Sequence, residues 1–334
     1  MKHIAIIGEC MIELNGKPFG EMHQTFGGDT LNAAVYLNRG CQLNSEDTLI
    51  RTSFVSALGT DAISEGMIAR WQDENIDTQF VLRDGDRTPG LYLIQLDEQG
   101  ERTFLYWRNQ SAAKYLLQHP NFDTIAHALK STNMVFLSGI SLAILPTEDR
   151  VKLFGLLNEL KRNDVEISFD SNYRPALWPS DELITVKENY RQMYQLTDIA
   201  LVTFDDEKLI WGDLNPQVTI ERLHSEGIKN VVLKLGSEGC LVSENFGKQS
   251  LTVPTQPVKN VVDTTSAGDS FNGGFLSCYL AGGSMEHSCQ RGNRLAGIVI
   301  QHKGAIIPKT ATDVVTQKKL RNLHVDYQRT TTGA

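Results

Sequence analysis

The sequence is poor in the features that mark secreted, membrane-spanning and metal-clustering proteins. Its 334 residues contain only five cysteines, at positions 10, 41, 240, 278 and 289, which form no close pairs and no metal-binding spacing. Such cysteines are typical of reduced thiols, and they predict a cytoplasmic location. No apolar run is long enough to span a bilayer, and the run at residues 3–7 is too short for a signal peptide. We therefore expect no membrane partner.

Two common phosphate-binding motifs are also missing. The chain has no Gly-x-x-x-x-Gly-Lys-Ser/Thr loop and no Gly-x-Gly-x-x-Gly segment that follows a strand. A P-loop kinase and a dinucleotide-dependent dehydrogenase are therefore disfavoured. The net charge of −8 argues against a nucleic-acid partner, and it repels nucleotides at long range. An anionic substrate would need a local group of arginine and lysine side chains.

A loop of small residues late in the chain leads into a helix. Residues 258–262 predict a short strand, and an apolar pattern with helical spacing begins at Phe271. Between them, Ala267 and Gly268 would let an anion approach the free amides of the helix N-terminus. Asp269 among those amides would repel a phosphate unless it accepts a proton, which is what phosphoryl transfer to an alcohol requires. On this stretch alone, simple helix capping by Asp269 is an equally good interpretation.

A second glycine turn enters a helix near the start of the chain. Gly27 and Gly28 precede Asp29 or Thr30 as the expected helix cap, and Asn32 lies in the first turn. Together, Gly-Gly-x-x-x-Asn early and Asp-Thr-x-x-Ala-Gly-Asp late resemble the two signatures of ribokinase-like (PfkB) sugar kinases.

This resemblance covers nearly all of residues 3–309, and it is strongest to the family's 2-keto-3-deoxygluconate kinases. One departure lies inside the late motif, where Ser266 stands in place of the usual glycine. Serine tolerates the geometry of a helix N-terminus, but the backbone there is less free than with glycine.

The resemblance implies an α/β fold, a ribokinase-like three-layer sandwich with a mostly parallel central sheet, plus a small β lid. Strand and helix patterns alternate along the chain, as such a fold requires. We expect a single kinase domain over residues 1–310, with the lid formed by about residues 10–25 and 85–110. A polar C-terminal tail is expected at residues 311–334.

A β-hairpin is predicted over residues 88–108. If its turn at residues 98–100 has a left-handed Gly100, Tyr92 faces Tyr106, and both share one face with Arg108. Two phenol hydroxyls and a guanidinium would suit a polyhydroxylated acid. From the residues alone, a packed aromatic hairpin with a solvated Arg108 is favoured, whereas the resemblance implies that these residues bind the substrate.

Acidic and basic side chains beside other strands complete the prediction. Glu13 is expected to be a solvated charge at a strand edge. Arg174, in a polar cluster after a strand, would contact either the acid substrate or the transferring phosphate, and the sequence leaves both open. Asp206 stands where many family members carry a glutamate, so it would hold magnesium through water and not directly.

The resemblance also assigns residues to roles. Asp269 would be the base, helped by the amides of residues 267–269. The expected catalytic residues are Asp269, Gly268, Ala267 and Arg174. The expected substrate-binding residues are Gly28, Asn32, Tyr92, Tyr106, Arg108, Arg174 and Asp269. The expected nucleotide-binding residues are Asn172, Lys234, Gly236, Gly239, Ser266, Ala267, Gly268, Asn293 and Gly304.

The implied function is ATP-dependent phosphorylation of 2-keto-3-deoxygluconate at its terminal hydroxyl. The implied cofactors are ATP and Mg²⁺, with K⁺ at Asp263 and Thr265 as a further expectation. A homodimer through the β lid is also expected. Two alternatives stay open at this point, a kinase for a neutral sugar such as fructose or ribose, and a non-catalytic sugar or nucleotide sensor on the same fold.

Overall fold

The computed structural model describes residues 1–17, 19–42, 49–96 and 102–313. The strands in chain order are β1 (Lys2–Ile7), β2 (Met11–Gly16), β3 (Met22–Gly27), β4 (Ile50–Gly59), β5 (Val81–Asp84), β6 (Leu91–Leu96), β7 (Arg102–Trp107), β8 (Met134–Ser138), β9 (Glu166–Asp170), β10 (Ile199–Thr203), β11 (Asn230–Lys234), β12 (Cys240–Glu244) and β13 (Gln249–Val253). The helices are α1 (Asp29–Cys41), α2 (Ala62–Asp73), α3 (Phe122–Leu129), α4 (Gly139–Ala143), α5 (Thr147–Arg162), α6 (Ile184–Leu196), α7 (Phe204–Trp211), α8 (Pro216–Ser225), α9 (Ala267–Tyr279) and α10 (Met285–Val299).

Within the described ranges, the large sheet has nine strands in the order β13-β12-β11-β10-β9-β8-β1-β4-β5. All neighbours are parallel from β11 to β5, and only β12 and β13 run antiparallel at one edge. Strand β1 is buried on both faces, because Ala5 and Ile7 pack into one apolar cluster while Ile4 and Ile6 pack into another. Helices therefore cover both faces of the sheet, as buried parallel strands require. The predicted three-layer α/β sandwich is confirmed.

The part of the chain that the structure describes forms a second, small sheet of four strands in the order β3-β2-β6-β7. Strands β6 and β7 are antiparallel, and Tyr92 pairs with Tyr106, as the hairpin pattern predicts. The predicted turn at residues 98–100 lies outside the described residues, as do residues 314–334 of the predicted tail. Within the part of the chain that the structure describes, no helix is long and apolar enough to cross a membrane.

Two local predictions are wrong. Residues 258–262 form no strand, because Val261 and Val262 are exposed and the chain here runs as a loop tied to the end of α10 by the Val262 amide, which donates to the carbonyl of Ile300 at 2.8 Å. Among the residues that the structure describes, no side chain caps helix α1 either. Its N-cap residue is Gly28, and Asp29 is already helical, so the Asp29 carboxylate is directed to other partners.

Helices α1 and α9 pack against each other with almost no space between their backbones. A Cβ atom on Gly273 of α9 would lie 2.6 Å from the carbonyl oxygen of Ala33 and 2.7 Å from the amide nitrogen of Leu37, both in α1. Real Cβ atoms do not approach backbone atoms so closely, so only glycine fits at this position. The helix that carries Asn32 is thereby held against the helix that carries Asp269.

Gly273→Ala should lower the free energy of unfolding by about 1–3 kcal/mol, because the added methyl group must push two backbones apart. The matched control is Gly155→Ala in α5, an exposed helical glycine whose Cβ would meet nothing within 4 Å. That change should be neutral or stabilising by up to about 1 kcal/mol, because alanine favours the helix. Urea unfolding measures both, and equal effects at the two sites would contradict the packing argument.

Candidate active site

The N-terminus of α9 offers two free backbone amides. Ser266 precedes the helix with a φ of 64°, a left-handed conformation that favours glycine. The Ala267 amide donates to the carbonyl of Thr264 at 3.2 Å. Among the described residues, no acceptor contacts the amides of Gly268 and Asp269. These two amides can therefore bind an anion at the positive end of the helix dipole.

The Asp269 carboxylate is held through one of its two oxygens. Asn32 Nδ2 donates to Asp269 Oδ2 at 2.9 Å, and Ser266 Oγ donates to the same oxygen at 3.0 Å. The other oxygen, Oδ1, has no hydrogen-bond partner among the residues that the structure describes, so it is the oxygen that can accept a proton. Asn32 and Asp269 lie 237 positions apart in the sequence, and the fold brings them into direct contact.

Two further carboxylates surround Asp269 and raise its pKa. Burial is the largest cause of the raised pKa of Asp269, and the negative charges of Asp29 and Asp170 raise it further. Burial also raises the pKa of Asp29, whose Oδ2 accepts a hydrogen bond from Asn172 Nδ2 at 2.6 Å. A carboxylate with a raised pKa is a stronger base than an ordinary aspartate, which suits proton transfer from a hydroxyl.

A cavity of about 450 Å³ lies beside the start of α9. The residues predicted for the nucleotide that line it are Lys234, Gly236, Gly239, Ala267, Gly268 and Asn293. Gly236 and Gly239 have φ values of 59° and 95°, so the loop after β11 depends on glycine. Asn172, Ser266 and Gly304 were also predicted for the nucleotide, but they are not among the lining residues.

The apolar wall of this cavity was missed by the sequence analysis. It is formed mainly by Pro257, Val258, Val261, Phe271, Ala296 and Ile300. The false strand at residues 258–262 hid this wall, because strand residues would have been assigned to the sheet. The two prolines at positions 254 and 257 were the available signal, since proline cannot donate to a strand ladder.

The small sheet places Tyr92 and Glu13 in a buried pair. The Tyr92 hydroxyl donates to the Glu13 carboxylate, and Thr25 Oγ1 donates to Glu13 Oε1 at 3.1 Å. Glu13 is therefore buried, and the expectation of a solvated charge is wrong. Burial, and next the charge of Glu13, raise the pKa of Tyr92, so this phenol stays protonated and acts as a donor. Tyr106 is half exposed, with its ring centroid 5.9 Å from that of Tyr92.

Arg108 forms an ion pair that the sequence analysis did not foresee. Its Nη2 donates to the carboxylate of Glu9, a buried residue directly after the first strand and Gly8. Gly90 leaves room for this pair, since a Cβ there would lie 2.8 Å from Glu9 Oε1. Arg108 is therefore neither solvated nor a wholly free cation. Nothing local in the sequence links positions 9 and 108, so only the fold could reveal the contact.

Asp206 and Arg174 lie at the carboxyl ends of β9 and β10. Asp206 Oδ2 accepts hydrogen bonds from Ser171 Oγ at 3.1 Å and from the Tyr173 amide at 3.3 Å. Burial, and next the charge of Asp170, raise the pKa of Asp206, while the charge of Arg174 lowers it. The Arg174 side chain is exposed and donates only to the neighbouring Tyr173 carbonyl, at 3.1 Å, among the described residues.

Asp263 joins two loops behind the helix. Its Oδ1 accepts hydrogen bonds from the Thr265 amide at 3.0 Å and from Thr265 Oγ1 at 2.7 Å, and its Oδ2 accepts one from the Gly304 amide at 2.9 Å. Within the described ranges, no three His, Cys, Asp or Glu side chains form a group that could hold a metal ion. The roles of Asp263 and Thr265 toward K⁺, and of Asp206 toward Mg²⁺, stay predictions.

A family model described as pfkB family carbohydrate kinase matches residues 1–312. The chain belongs to this family. A 2-dehydro-3-deoxygluconokinase of Haemophilus influenzae is 56% identical to this kinase over 311 residues, which cover 93% of this chain and 97% of the relative. A protein of the same name from Dickeya dadantii is 46% identical over 312 residues, covering 93% of this chain and 98% of the relative.

Solved structures agree with the fold of a pfkB-family kinase. A putative Ribokinase II from E. coli, in complex with ATP and Mg²⁺, superposes with a TM-score of 0.76 at 21% identity, covering 95% of this chain and 100% of that one. The aminoimidazole riboside kinase of Salmonella enterica gives a TM-score of 0.74 at 20% identity and covers 93% of this chain and 96% of that one. The chain therefore shares its overall fold with these two solved structures.

The acidic limb of the pH profile of this kinase should move when Asp29 is changed to Asn. If Asp269 is the base, as the sequence predicts, it must be ionised to accept a proton, so kcat/KM falls as the pH falls through its pKa. The raised pKa places this fall above the ordinary value of about 4. Asp29→Asn removes a charge that raises this pKa, so the limb should shift to lower pH. Asp205→Asn, an exposed aspartate in α7, is the control. An equal shift in both variants, or a shift to higher pH, would contradict the assignment.

Proposed function

We propose that this kinase transfers the γ-phosphoryl group of ATP to 2-keto-3-deoxygluconate, giving 2-keto-3-deoxy-6-phosphogluconate. One observation carries the chemistry. The Asp269 carboxylate has an oxygen, Oδ1, that no described residue contacts by a hydrogen bond, and it lies beside the Gly268 and Asp269 amides, which are likewise without an acceptor in the described ranges. The choice of substrate is supported by relatives at 46–56% identity, which are named for the same acid. The enzyme is then a phosphotransferase with an alcohol group as acceptor.

The reaction needs a base, an anion site and an in-line hydroxyl. The terminal hydroxyl oxygen of the sugar acid bonds to the γ-phosphorus while the bond from that phosphorus to the bridging oxygen breaks, and the electron pair of that bond leaves with ADP. The hydroxyl proton passes to Asp269 Oδ1. An alcohol is far less acidic than a carboxylic acid, so the proton moves late, as the new bond forms. The amides of Gly268 and Asp269 stabilise the charge on the phosphoryl oxygens.

The cavity beside α9 suits a nucleotide in its donors and its walls. Its apolar wall would take the adenine, and the glycine loop at Gly236 and Gly239 would let the phosphates approach the backbone. Magnesium would neutralise phosphate charge when it is bound with the nucleotide. Asp206 fits a water-mediated role, because its Oδ2 is already held by protein donors while no hydrogen bond to its Oδ1 is found among the described residues. The site residues thus fit both groups.

The sugar acid would lie between the small sheet and the end of the large sheet. Tyr92 and Tyr106 would contact its hydroxyls, Asn32 and Gly28 would border the reacting end, and Arg108 with Arg174 would hold the carboxylate. Arg108 is pre-oriented by Glu9, which also offsets its charge. Arg174 carries the less compensated charge, because it has no ion-pair partner among the described residues. A neutral-sugar kinase remains the alternative, and an intact Asp269 argues against a mere sensor.

We further infer that the small sheet is a lid that also forms a homodimer contact. Its strand β7 exposes Phe104, Leu105, Tyr106 and Trp107 in succession, with exposed fractions of 40%, 39%, 51% and 58%. Such an apolar edge on one small sheet is suited to a second copy of the same chain. Sedimentation of the wild type and of Trp107→Lys decides this proposal, because a wild-type monomer at micromolar concentration would refute it.

Two smaller proposals concern conditions and place. We infer that K⁺ binds near Asp263 and Thr265, behind the anion site, and that turnover in potassium salts exceeds turnover in tetramethylammonium salts at equal ionic strength. Equal rates would refute this.

We also infer a cytoplasmic location, supported by five free cysteines, four of them buried. Fractionation of cells that express the chain tests it.

The wild type should release ADP with ATP and magnesium on 2-keto-3-deoxygluconate, and faster than on 2-keto-3-deoxygalactonate, fructose, ribose or gluconate. Asp269→Asn should bind ATP nearly normally and lose turnover by more than about 100-fold, because the proton acceptor is gone. Calorimetric ATP titration is the folding and binding control. A variant rate within tenfold of wild type would refute Asp269 as the base, and a preference for a neutral sugar would refute the substrate.

Arg108→Ala should raise the Michaelis constant for the sugar acid by at least about tenfold, because a charge-assisted hydrogen bond to the carboxylate is lost. The Michaelis constant for ribose or fructose, measured at high concentration, should change much less. The matched control is Arg83→Ala, which removes an arginine on β5 that pairs with Glu65. Equal increases for the acid and the neutral sugar would remove the carboxylate contact from Arg108.

A further inference from the structure

A buried lysine lies directly against the proposed anion site. Lys234 ends β11, and its Nζ lies 3.2 Å from Asp170 Oδ1. A Cβ atom added to Gly268 would lie 3.6 Å from this Nζ, so the ammonium group touches the first turn of α9. The same lysine lines the nucleotide cavity. A positive charge therefore stands beside the two free amides, on the side where phosphates would enter.

Asn272 ties this lysine to its partner. It lies in α9, one turn after Asp269, and is only 1% exposed. Its Oδ1 accepts a hydrogen bond from Lys234 Nζ at 3.2 Å, and its Nδ2 donates to Asp170 Oδ2 at 2.7 Å. Because the amide accepts from the lysine and donates to the carboxylate, its orientation is fixed. Strand β9, strand β11 and helix α9 are joined through these three side chains.

Stability alone gives little reason for such a group. Removing an ammonium and a carboxylate from water is costly, and a core with well-packed apolar residues in their place is often as stable. Lysine is also among the residues that are least often buried. The Asp170 Oδ1 atom is buried and has no hydrogen-bond partner of good geometry among the described residues, so its contact with Lys234 is mainly one of charge. The arrangement leaves the remaining ammonium hydrogens available toward the cavity.

The positive charge of Lys234 offsets the negative charge of the carboxylates around it. Asp29, Asp170 and Asp269 crowd one region. Burial raises the pKa values of Asp29 and Asp269, and the charge of Asp170 raises both further. A phosphoryl group that enters here meets several carboxylates of the same sign. A fixed cation at the start of α9 offsets that repulsion, and in a water-poor site it acts more strongly than a solvated one.

We propose that Lys234 is a catalytic residue that contacts the transferring phosphoryl group, and that Asp170 and Asn272 are the positioning residues that hold its ammonium against the start of α9. The inference rests on the proposed phosphotransfer, and it goes beyond a general nucleotide contact because it gives Lys234 a role in the transition state. During transfer, charge accumulates on the phosphoryl oxygens and on the bridging oxygen that leaves with ADP. Lys234 would stabilise that charge more than it stabilises bound ATP.

Lys234→Ala tests the charge. The variant should lose about 100- to 1,000-fold in kcat, as when one preorganised donor to a developing anion is removed, while the Michaelis constant for the sugar acid stays within about threefold. Methylammonium, which fits the space left by the side chain, should raise the kcat of the variant at least tenfold. Tetramethylammonium at the same ionic strength is the control, because it is too large and cannot donate. A kcat within tenfold of wild type would overturn the proposal, as would an equal increase in kcat with methylammonium and with tetramethylammonium.

A binding measurement tests the transition-state role without turnover. ADP with aluminium fluoride and the sugar acid imitates the flat phosphoryl group in transfer, whereas a non-hydrolysable ATP analogue imitates the ground state. Calorimetry should show that Lys234→Met weakens the aluminium fluoride complex at least tenfold more than the analogue complex. Equal weakening of both would reduce Lys234 to an ordinary nucleotide contact and overturn the proposal.

Asn272→Leu tests the positioning. Leucine matches the volume but neither accepts from Lys234 nor donates to Asp170, so kcat should fall at least tenfold with little change in the Michaelis constant for the sugar acid. The matched control is Ser277→Ala, a buried polar residue of the same helix whose hydroxyl donates within the helix to the Gly274 carbonyl. The kcat of each variant is measured at the same number of degrees below its own melting temperature. If Ser277→Ala loses as much kcat, or if Asn272→Leu loses none, the positioning role is wrong.

These results are separable from the proposed function itself. If the wild type turns over 2-keto-3-deoxygluconate and Lys234→Ala keeps its kcat, the function stands and the role of Lys234 falls. If the wild type prefers a neutral sugar, the substrate falls, and the lysine experiments are repeated on that sugar with the same expected losses. The aluminium fluoride measurement then decides the role of Lys234 independently of the acceptor's carboxylate.

Discussion

The close packing of α1 against α9 is the constraint on which the catalytic geometry depends. Gly273 lets the two backbones touch, and Asn32 from one helix then reaches the carboxylate of Asp269 in the other. This contact occupies Oδ2 and leaves Oδ1 directed to the proposed acceptor hydroxyl. The proposed base is therefore oriented by a helix that begins at the glycine turn proposed to border the sugar. Two sequence motifs that lie far apart become one site through this single interface.

The electrostatics of the site follow from the same crowding. Several carboxylates converge where the large sheet ends, and burial with mutual repulsion raises the pKa values of Asp29, Asp206 and Asp269. Such a group suits proton transfer but opposes phosphate. Three groups offset this negative charge: the amides at the start of α9, the buried ammonium of Lys234, and the exposed guanidinium of Arg174. On the proposed assignment, a chain of net charge −8 recognises its anionic substrate through local positive groups, at the first turn of one helix and the ends of a few strands.

Features that depend on interactions between residues close together in the sequence could be predicted from it. The pairing of Tyr92 with Tyr106 follows from the predicted position of the hairpin turn, and the start of α9 follows from small residues before a helical pattern. The Glu9–Arg108 pair and the bridge through Asn272 could not be predicted, because each joins elements whose approach depends on the whole sheet order. The strand expected at residues 258–262 was wrong because β-branched residues indicate a strand only if backbone partners exist. There the loop pairs with the end of α10 instead.

Ser266 combines an unfavourable backbone conformation with a side-chain contact in the candidate site. Ser266 adopts a left-handed conformation that costs on the order of 1 kcal/mol for a residue other than glycine. Its hydroxyl nevertheless donates to Asp269, a bond that the usual glycine cannot make. Relative to a glycine-containing motif, this chain therefore combines backbone strain with a second hydrogen-bond donor to the Asp269 carboxylate. That donor favours the ionised carboxylate and lowers the raised pKa of Asp269, so the serine partly offsets the effect of the neighbouring carboxylates on this pKa.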